Sequence, residues 1–359
     1  MKNEAPGSPY RKIAARIIPL MMLLYLMAFL DRVNIGFAAL TMNQDLGFTP
    51  SIYGWGAGIF FIGYFFFEIP SNLILEKVGA RLWIARIMIT WGLISAGMAF
   101  VSGTWSFLAL RFLLGVAEAG FLPGMLLYLT YWFPARHRAK FIALFMAAVP
   151  LASAIGSPIS GLLVSMDEWL GLKGWQWLFL LEGLPSCLLG VVVLHALPEG
   201  PARAKWLTAS ERAFVEADLA NDRRNAAPNA HHAIWPAMTD WRVLVLCGVY
   251  FGVVIGLYGI GLWLPQIAKA MGYSNAAVGF IVAMPYAVAA AAGGIALINS
   301  VGNLGGFVGP YLMGWIKEST GSFSWGMAAM GACLCAAVGL ALLLKAAASP
   351  SREHSTLRS

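Results

Sequence analysis

Long apolar stretches separated by short polar connections run along most of this chain. In its first part each stretch has the roughly 20 residues that a helix needs to cross the hydrocarbon core of a bilayer. The pattern predicts six spans before residue 198, at about 13–41, 52–75, 82–101, 105–131, 141–165 and 175–197. The expected fold class is therefore an all-α polytopic membrane protein.

The pattern changes at residues 198–241, where charged residues, proline and asparagine become frequent. Within this stretch, residues 208–221 predict a short surface helix capped by Thr208 or Ser210. We interpret 198–241 as a cytoplasmic linker that separates an N-terminal bundle of six helices, residues 1–197, from a second group of spans.

The second group is shorter. Spans are predicted at about 242–266 and 324–345, and residues 276–315 between them carry no charge at all. As one helix this stretch would be about 60 Å long, so it must fold as a hairpin of two spans with a turn near Gly293–Gly294. The prediction is thus a C-terminal bundle of about four spans, residues 242–346, followed by a cytoplasmic tail at 347–359.

The composition supports a membrane protein. Hydrophobic residues make up 59% of the chain and charged residues 11%, against about 25% charged residues in soluble domains. The net charge of +7 does not indicate nucleic-acid binding, because 19 of the 24 Lys and Arg residues lie in alternate connections and the termini. This positive-inside pattern predicts that both termini are cytoplasmic, and we expect a monomer in the inner membrane.

No pattern in the sequence is typical of an enzyme. The five histidines form no cluster within the spans, and there is no H-E-x-x-H motif and no Walker A loop. The four cysteines lie in apolar stretches without metal-ligand spacing. We therefore expect no catalytic site, no metal and no cofactor.

Four ionisable residues within predicted spans are the candidate site: Asp31, Arg32, Arg111 and Glu118. Charges at that depth are costly unless they pair or face a cavity, so they indicate function by default. Arg111 and Glu118 are seven residues apart, which places them on one face of a helix about two turns from each other. Arginine fits a carboxylate, which favours substrate contact by Arg111. The alternative is a structural ion pair of Arg111 with Asp31 or Glu118.

Glu118 is the predicted proton carrier, because burial favours its neutral form while a nearby arginine favours the carboxylate. The alternative is a permanently ionised partner of an arginine.

Asp31 and Arg32 are adjacent and point about 100° apart on a helix. One arrangement directs Arg32 to a central cavity and Asp31 to the fourth span near Arg111. Asn299 and Asn303 share a helical face and either line the cavity or connect helices.

The set of motifs resembles the major facilitator superfamily and, within it, the anion:cation symporter family. The resemblance covers nearly the whole chain and rests on these segments in order: FLDRVNIGFA (29–38), FEIPSNLILEKVGARLWIAR (67–86), RFLLGVAEAGFLPG (111–124), YLTYWFPARHRAK (128–140), GWQWLFLLEGLP (174–185), LWLPQI (262–267) and ALINSVGNLGGFVGPYLMGWIKESTG (296–321). Two long segments favour the subgroup of tartrate and related carboxylate permeases: GAGIFFIGYFFFEIPSN (56–72) and KGWQWLFLLEGLP (173–185).

The resemblance implies a proton-coupled symporter of a small organic anion, with tartrate as the expected substrate. It implies Arg32 and Arg111 as substrate contacts and Asp31 and Glu118 as proton-coupling acids. The family's cytoplasmic loop G-x-x-x-D-R-x-G-R-R corresponds to residues 72–81, in which the implied gating residues are Glu76, Lys77, Gly79 and Arg81.

The sequence departs from the family in its second part. About 70 residues that family members have there, including two helices, are missing from this chain. The alternatives to tartrate transport are therefore a truncated, non-transporting remnant, or a transporter of another carboxylate such as an aromatic acid or a sugar acid.

Overall fold

The computed structural model describes residues 9–166, 168–225, 241–291 and 302–348, and all of its long elements are helices. In chain order they are α1 (Pro9–Asp45), α2 (Pro50–Val78), α3 (Ala80–Gly97), α4 (Thr104–Glu118), α5 (Phe121–Thr130), α6 (Ala135–Met146), α7 (Ala148–Val164), α8 (Gly174–Ala196), α9 (Ala209–Asn225), α10 (Trp241–Ala270), α11 (Asn275–Ala291), α12 (Gly302–Thr320) and α13 (Phe323–Ala348). Short 3₁₀ turns lie at Met98–Phe100, Trp169–Gly171 and Pro201–Arg203.

Eight helical segments within the described residues are long and apolar enough to cross a membrane. Six of them come from α1 to α8, with α4 and α5 forming one span and α6 and α7 another; the other two are α10 and α13. The predicted order of six spans followed by four further helices is thus present. The predicted turn near Gly293–Gly294 falls at 292–301, outside the described residues.

Two predicted spans are not continuous helices. The fourth is interrupted between α4 and α5, where Gly120 has a φ of 83°. Residues with side chains rarely adopt that conformation, so glycine is favoured at this position. Ser71 of α2 donates to the carbonyl oxygen of Ala119 at 2.6 Å and satisfies it at the break. Pro123 is tolerated because it lies in the first turn of α5, where backbone N–H groups have no helical acceptor. The fifth span is divided at Ala147 between α6 and α7.

We call α1 to α8 the first bundle and α10 to α13 the second bundle. In the first, α1 packs against α7 and α8, α2 against α4, and α3 against α8. In the second, α10 packs against α12 and α13. Among the described residues, the main contacts between the bundles are those of α1 with α10, α2 with α12, and α7 with α11.

Small residues allow the bundles to approach closely. A Cβ atom on Gly54 would lie 2.7 Å from the carbonyl oxygen of Pro310 in α12. On the other side, a Cβ on Gly161 of α7 would lie 2.8 Å from the carbonyl oxygen of Asn275 in α11. Backbone contact of this kind packs helices where lipid provides no hydrophobic drive.

The described part of the linker lies against the first bundle. Helix α9 begins with a capping box, in which Glu211 N donates to Thr208 Oγ1 and Thr208 N donates to the Glu211 carboxylate. Of the two predicted caps, Thr208 is therefore the one that holds this helix. Tyr10 of α1 and Arg136 of α6 both donate to Asp218 of α9, at 2.5 Å and 2.6 Å.

Candidate functional site

A buried ion pair lies where the two bundles meet. Arg32 of α1 pairs through Nη2 with the carboxylate of Glu118, the last residue of α4. Its other terminal nitrogen, Nη1, donates to the hydroxyl oxygen of Tyr258 in α10 at 3.0 Å. The guanidinium of Arg32 therefore connects two spans of the first bundle with one span of the second.

Aromatic rings of α2 form the wall behind this pair. The guanidinium carbon of Arg32 lies 5.1 Å from the ring centre of Tyr64 and 5.4 Å from that of Phe60. Such rings attract a cation through their negative faces. Phe61, the next residue, packs against Tyr258 with ring centres 4.6 Å apart. The aromatic wall thus continues from the first bundle into the second.

Arg111 also lies against this aromatic wall. Its guanidinium carbon is 5.1 Å from the ring centre of Phe60, so Arg32 and Arg111 share this ring. Arg111 donates from Nε to the carbonyl oxygen of Gly56 at 2.9 Å and from Nη2 to that of Ala57 at 3.3 Å. Among the described residues Arg111 makes no ion pair with either Asp31 or Glu118.

These three side chains carry a net positive charge. Glu118 interacts with Arg32 most strongly and with Arg111 more weakly, and the side chains of all three are at least nine-tenths buried. By themselves, two arginines and one carboxylate leave one excess positive charge in a region of low dielectric, and the buried carboxyl group of Glu68 interacts with Tyr64 beside them. Such an arrangement is suited to attract an anion.

Asp31 does not lie in this site. The arrangement that directed it to the fourth span near Arg111 is wrong, because its carboxylate points into the first bundle, toward α3 and α8. Its oxygens accept hydrogen bonds from Trp91 at 2.7 Å, Ser95 at 2.9 Å and Ser186 at 3.1 Å. Of the two adjacent residues, only Arg32 faces the second bundle.

The predicted gating residues lie at the end of α2 and the start of α3. Gly79 ends α2 with a φ of 95°. Glu76 and Lys77 are exposed. Arg81 forms an ion pair with Glu199 at 3.6 Å and lines a cavity of about 650 Å³. This pair connects the first bundle with the start of the linker, so it does not bridge the two bundles as a gate would.

The two predicted asparagine contacts are not placed in the site. Asn299 lies outside the described residues, and Asn303 lies in α12, where only its backbone is described. Sequence reasoning also missed a contact from the second bundle, Tyr258. The available signal was a tyrosine flanked by glycines, GLYGIG (256–261), within an otherwise aliphatic span.

Comparisons with known proteins show the family of this chain. The model of the Major Facilitator Superfamily matches residues 21–297. A "Putative tartrate transporter" of Agrobacterium vitis is 48% identical over 427 alignment positions, which cover 99% of this chain and 95% of that protein. A "Putative metabolite transport protein NicT" of Pseudomonas putida is 50% identical over 286 residues, 79% of this chain and 65% of that protein.

The alignment to the first of these relatives leaves about 70 of its positions opposite gaps in this chain, since 99% of 359 residues are spread over 427 positions. That length corresponds to the predicted loss of two helices and their loops.

Among solved structures, a bacterial homologue of the human lysosomal transporter Spinster, in an inward-facing unoccupied conformation, matches with a TM-score of 0.61. The match covers 94% of this chain and 80% of that chain at 18% sequence identity, so it concerns the fold alone. From the family match, the extent of the relatives and the shared fold, this chain belongs to the Major Facilitator Superfamily and is a multi-pass membrane transporter of a small molecule, not an enzyme.

Proposed function

We propose that this protein is a proton-coupled symporter of a small organic anion, with a dicarboxylate such as tartrate as its substrate. The observation that carries the proposal is the pair of arginines flanking Phe60, with Glu118 bound to one of them. The similarity to putative tartrate transporters supports a carboxylate substrate.

The mechanism follows from the charges of these three side chains. When Glu118 binds a proton, it no longer neutralises Arg32, and the site then has two unopposed positive charges. Two carboxylate groups of one substrate match that charge and the forked geometry of the two guanidinium groups. Release of substrate and proton restores the ion pair between Arg32 and Glu118. Proton and anion therefore bind together because each favours the binding of the other.

Tyr258 gives the second bundle a role in this cycle. It holds the same guanidinium that Glu118 holds, so a change at Arg32 reaches both bundles. This placement suits rocking of the two bundles around a site between them. We also infer that residues 1–197 and 242–346 act as the two moving bodies of a monomer, joined by the linker at 198–241. We infer further that both termini are cytoplasmic and that the protein lies in the inner membrane. Asp31, Asn299, Asn303 and the loop at 76–81 are proposed to contribute to the same cycle.

Uptake into liposomes that contain the purified protein tests the proposal. With tartrate and an imposed pH gradient, the wild type should accumulate substrate. Glu118→Gln should lose accumulation yet retain exchange of labelled for unlabelled substrate, because a permanently neutral side chain leaves the arginines available but carries no proton. Arg111→Lys should lose both activities, and Arg86→Lys, which replaces an arginine stacked on Trp83 away from the site, should retain both.

Two results would contradict the proposal. Accumulation by Glu118→Gln with unchanged pH dependence would remove Glu118 from proton coupling. Competition by aromatic or sugar monocarboxylates, but not by tartrate, would reassign the substrate.

A second candidate is a non-transporting remnant, which the missing alignment positions favour. Absence of both uptake and exchange in correctly folded wild-type protein would establish it. Exchange by the wild type alone is enough to reject it.

A further inference from the structure

A second set of buried polar groups lies inside the first bundle and has no part in the ion pair between Arg32 and Glu118. It contains two carboxyl groups, Asp31 of α1 and Glu182 of α8, whose exposed fractions are 1% and 3%. The two carboxyl groups interact electrostatically, and Asn34 of α1 donates to Asp31 Oδ1 at 3.3 Å and also interacts with Glu182. Both acids thus belong to one network.

The two carboxyl groups differ in how many donors they have. Asp31 accepts four hydrogen bonds, which come from Asn34, Trp91, Ser95 and Ser186. Several donors aimed at a carboxylate favour its charged form. Glu182 accepts one hydrogen bond of good geometry, from Ser160 Oγ to Oε1 at 2.6 Å. Its second oxygen, Oε2, has no hydrogen-bond partner within the described part of the chain.

No cation balances this pair. Neither Asp31 nor Glu182 forms an ion pair with a described residue, and Arg32 is turned away toward Glu118. The side chains that face Glu182 from the neighbouring helices are Asp31 and Asn34 of α1 and Ser160 of α7, while Trp91 and Ser95 of α3 bind Asp31. Two ionised carboxylates held by neutral donors inside a membrane are highly unfavourable.

A proton would resolve a defect that the hydrogen bonds show independently. Asn34 Oδ1 is buried without a partner, as is Glu182 Oε2. Both atoms are acceptors while Glu182 is ionised, so they cannot bond to each other. A proton on Glu182 converts Oε2 into an O–H donor for a neighbouring acceptor such as Asn34 Oδ1. Buried polar groups in native proteins normally have such partners.

We propose that Glu182 binds a proton and that Asp31 and Asn34 control its release, so that the first bundle has a proton-binding site distinct from Glu118. The proposed ligand is a proton, since among the described residues no group of three or more His, Cys, Asp or Glu side chains could hold a metal ion. The site's protonation does not depend on the proposed function, whereas its use in transport rests on it.

Infrared difference spectroscopy of the purified protein between acid and alkaline pH measures protonation directly, through the carbonyl stretching band of neutral carboxyl groups. The wild type should show such a band from Glu182, and Glu182→Gln should lose it. Glu118→Gln is the matched control, because it removes the other proposed proton carrier and should leave the Glu182 band in place. If Glu182→Gln and the wild type give the same bands, the proposal is overturned.

The variant Asp31→Asn keeps Glu182 and tests the coupling between the two acids. Without the neighbouring negative charge, Glu182 should release its proton more easily, so the midpoint of its band should move to lower pH by about one unit or more, as expected for interacting sites. An unchanged midpoint overturns the proposal even if Glu182→Gln fails to fold. No substrate is added in these measurements, so the band and its shift would be seen even if the protein did not couple transport to protons. The experiment therefore distinguishes failure of this inference from failure of the proposed function.

Discussion

The two bundles of this protein repeat one packing arrangement and differ in how much of it is present. In the first bundle α1 contacts α7 and α8, and in the second α10 contacts α12 and α13 in the same manner. The first bundle also pairs α2 with α4 and α3 with α8, and the described second bundle has no counterpart of these pairs. In the apolar stretch of 18 residues within Thr104–Thr130, 67% of the residues are buried, whereas 17% are buried in Phe323–Leu340.

The bundles differ in chemistry as well. Every charged side chain that is buried within the described residues belongs to the first bundle: Asp31, Arg32, Glu68, Arg111, Glu118 and Glu182. The second bundle contributes to the site a hydroxyl group, that of Tyr258. The buried charges of the described residues thus lie in the first bundle, whereas the shortened second bundle provides contacts that tie it to the first.

The largest effect that we expect from this difference is on stability. A Cβ atom on Gly115 of α4 would overlap the carbonyl oxygen of Phe60 in α2, which is backbone and cannot rotate away. Gly115→Ala should therefore destabilise the protein by about 3 kcal/mol or more. Gly331 of α13 has no atom within 4 Å of such a Cβ, so Gly331→Ala should leave stability unchanged or raise it by about 0.5–1 kcal/mol.

Thermal unfolding in detergent measures this pair of variants. Both variants replace glycine by alanine within a membrane helix, so a difference between their unfolding temperatures comes from the surroundings of the two glycines. Equal unfolding temperatures would mean that the two bundles are packed equally tightly, and would contradict the comparison above.

The fold was predictable because length and hydropathy are local properties of the chain. The six spans, the charged linker and the shortened second part all follow from such properties. The break at Gly120 was not recognised, since the apolar pattern continues through it and only the backbone conformation and the Ser71 bond reveal it.

The candidate site was predictable in three of its charged residues, but not in their pairing or in its contact from the second bundle, Tyr258. Burial of charge identified Arg32, Arg111 and Glu118, because membrane spans rarely carry such side chains. Helical geometry allowed Arg111 to pair with Glu118, but it could not show that Arg111 reaches carbonyl groups of α2 instead. Which charges meet depends on how neighbouring helices rotate, and this is a tertiary property.

The contribution of the second bundle to the site should have an intermediate effect. Tyr258→Phe removes the hydroxyl that holds Arg32 at 3.0 Å and leaves the ring that packs on Phe61. Hydrogen bonds to charged groups contribute about 1.5–3 kcal/mol, so uptake at low substrate concentration should fall by about tenfold or more. Tyr273→Phe, at a tyrosine that is 44% exposed, is the control. If both variants transport at the wild-type rate, the site belongs to the first bundle alone.

The smallest expected effect concerns the linker, which the structure attaches to the first bundle. Lys12 of α1 donates to the Glu211 carboxylate of α9 at 2.8 Å, and this bond holds the pKa of Glu211 below its usual value.

A carboxyl group whose pKa is lowered by folding stabilises the folded protein at pH values above its pKa in the unfolded chain. That stabilisation is lost as the pH falls through the lowered pKa of the folded protein. Lys12→Met should therefore slightly speed amide hydrogen exchange in α9 at neutral pH, and should match the wild type once the pH has fallen below the lowered pKa of Glu211 and its carboxyl group is protonated. Lys205→Met, at an exposed lysine of the linker, should show no change at either pH. A difference between Lys12→Met and the wild type that persists in acid would show that Lys12 acts through packing, and then the ion pair would not be what fastens α9 to the first bundle.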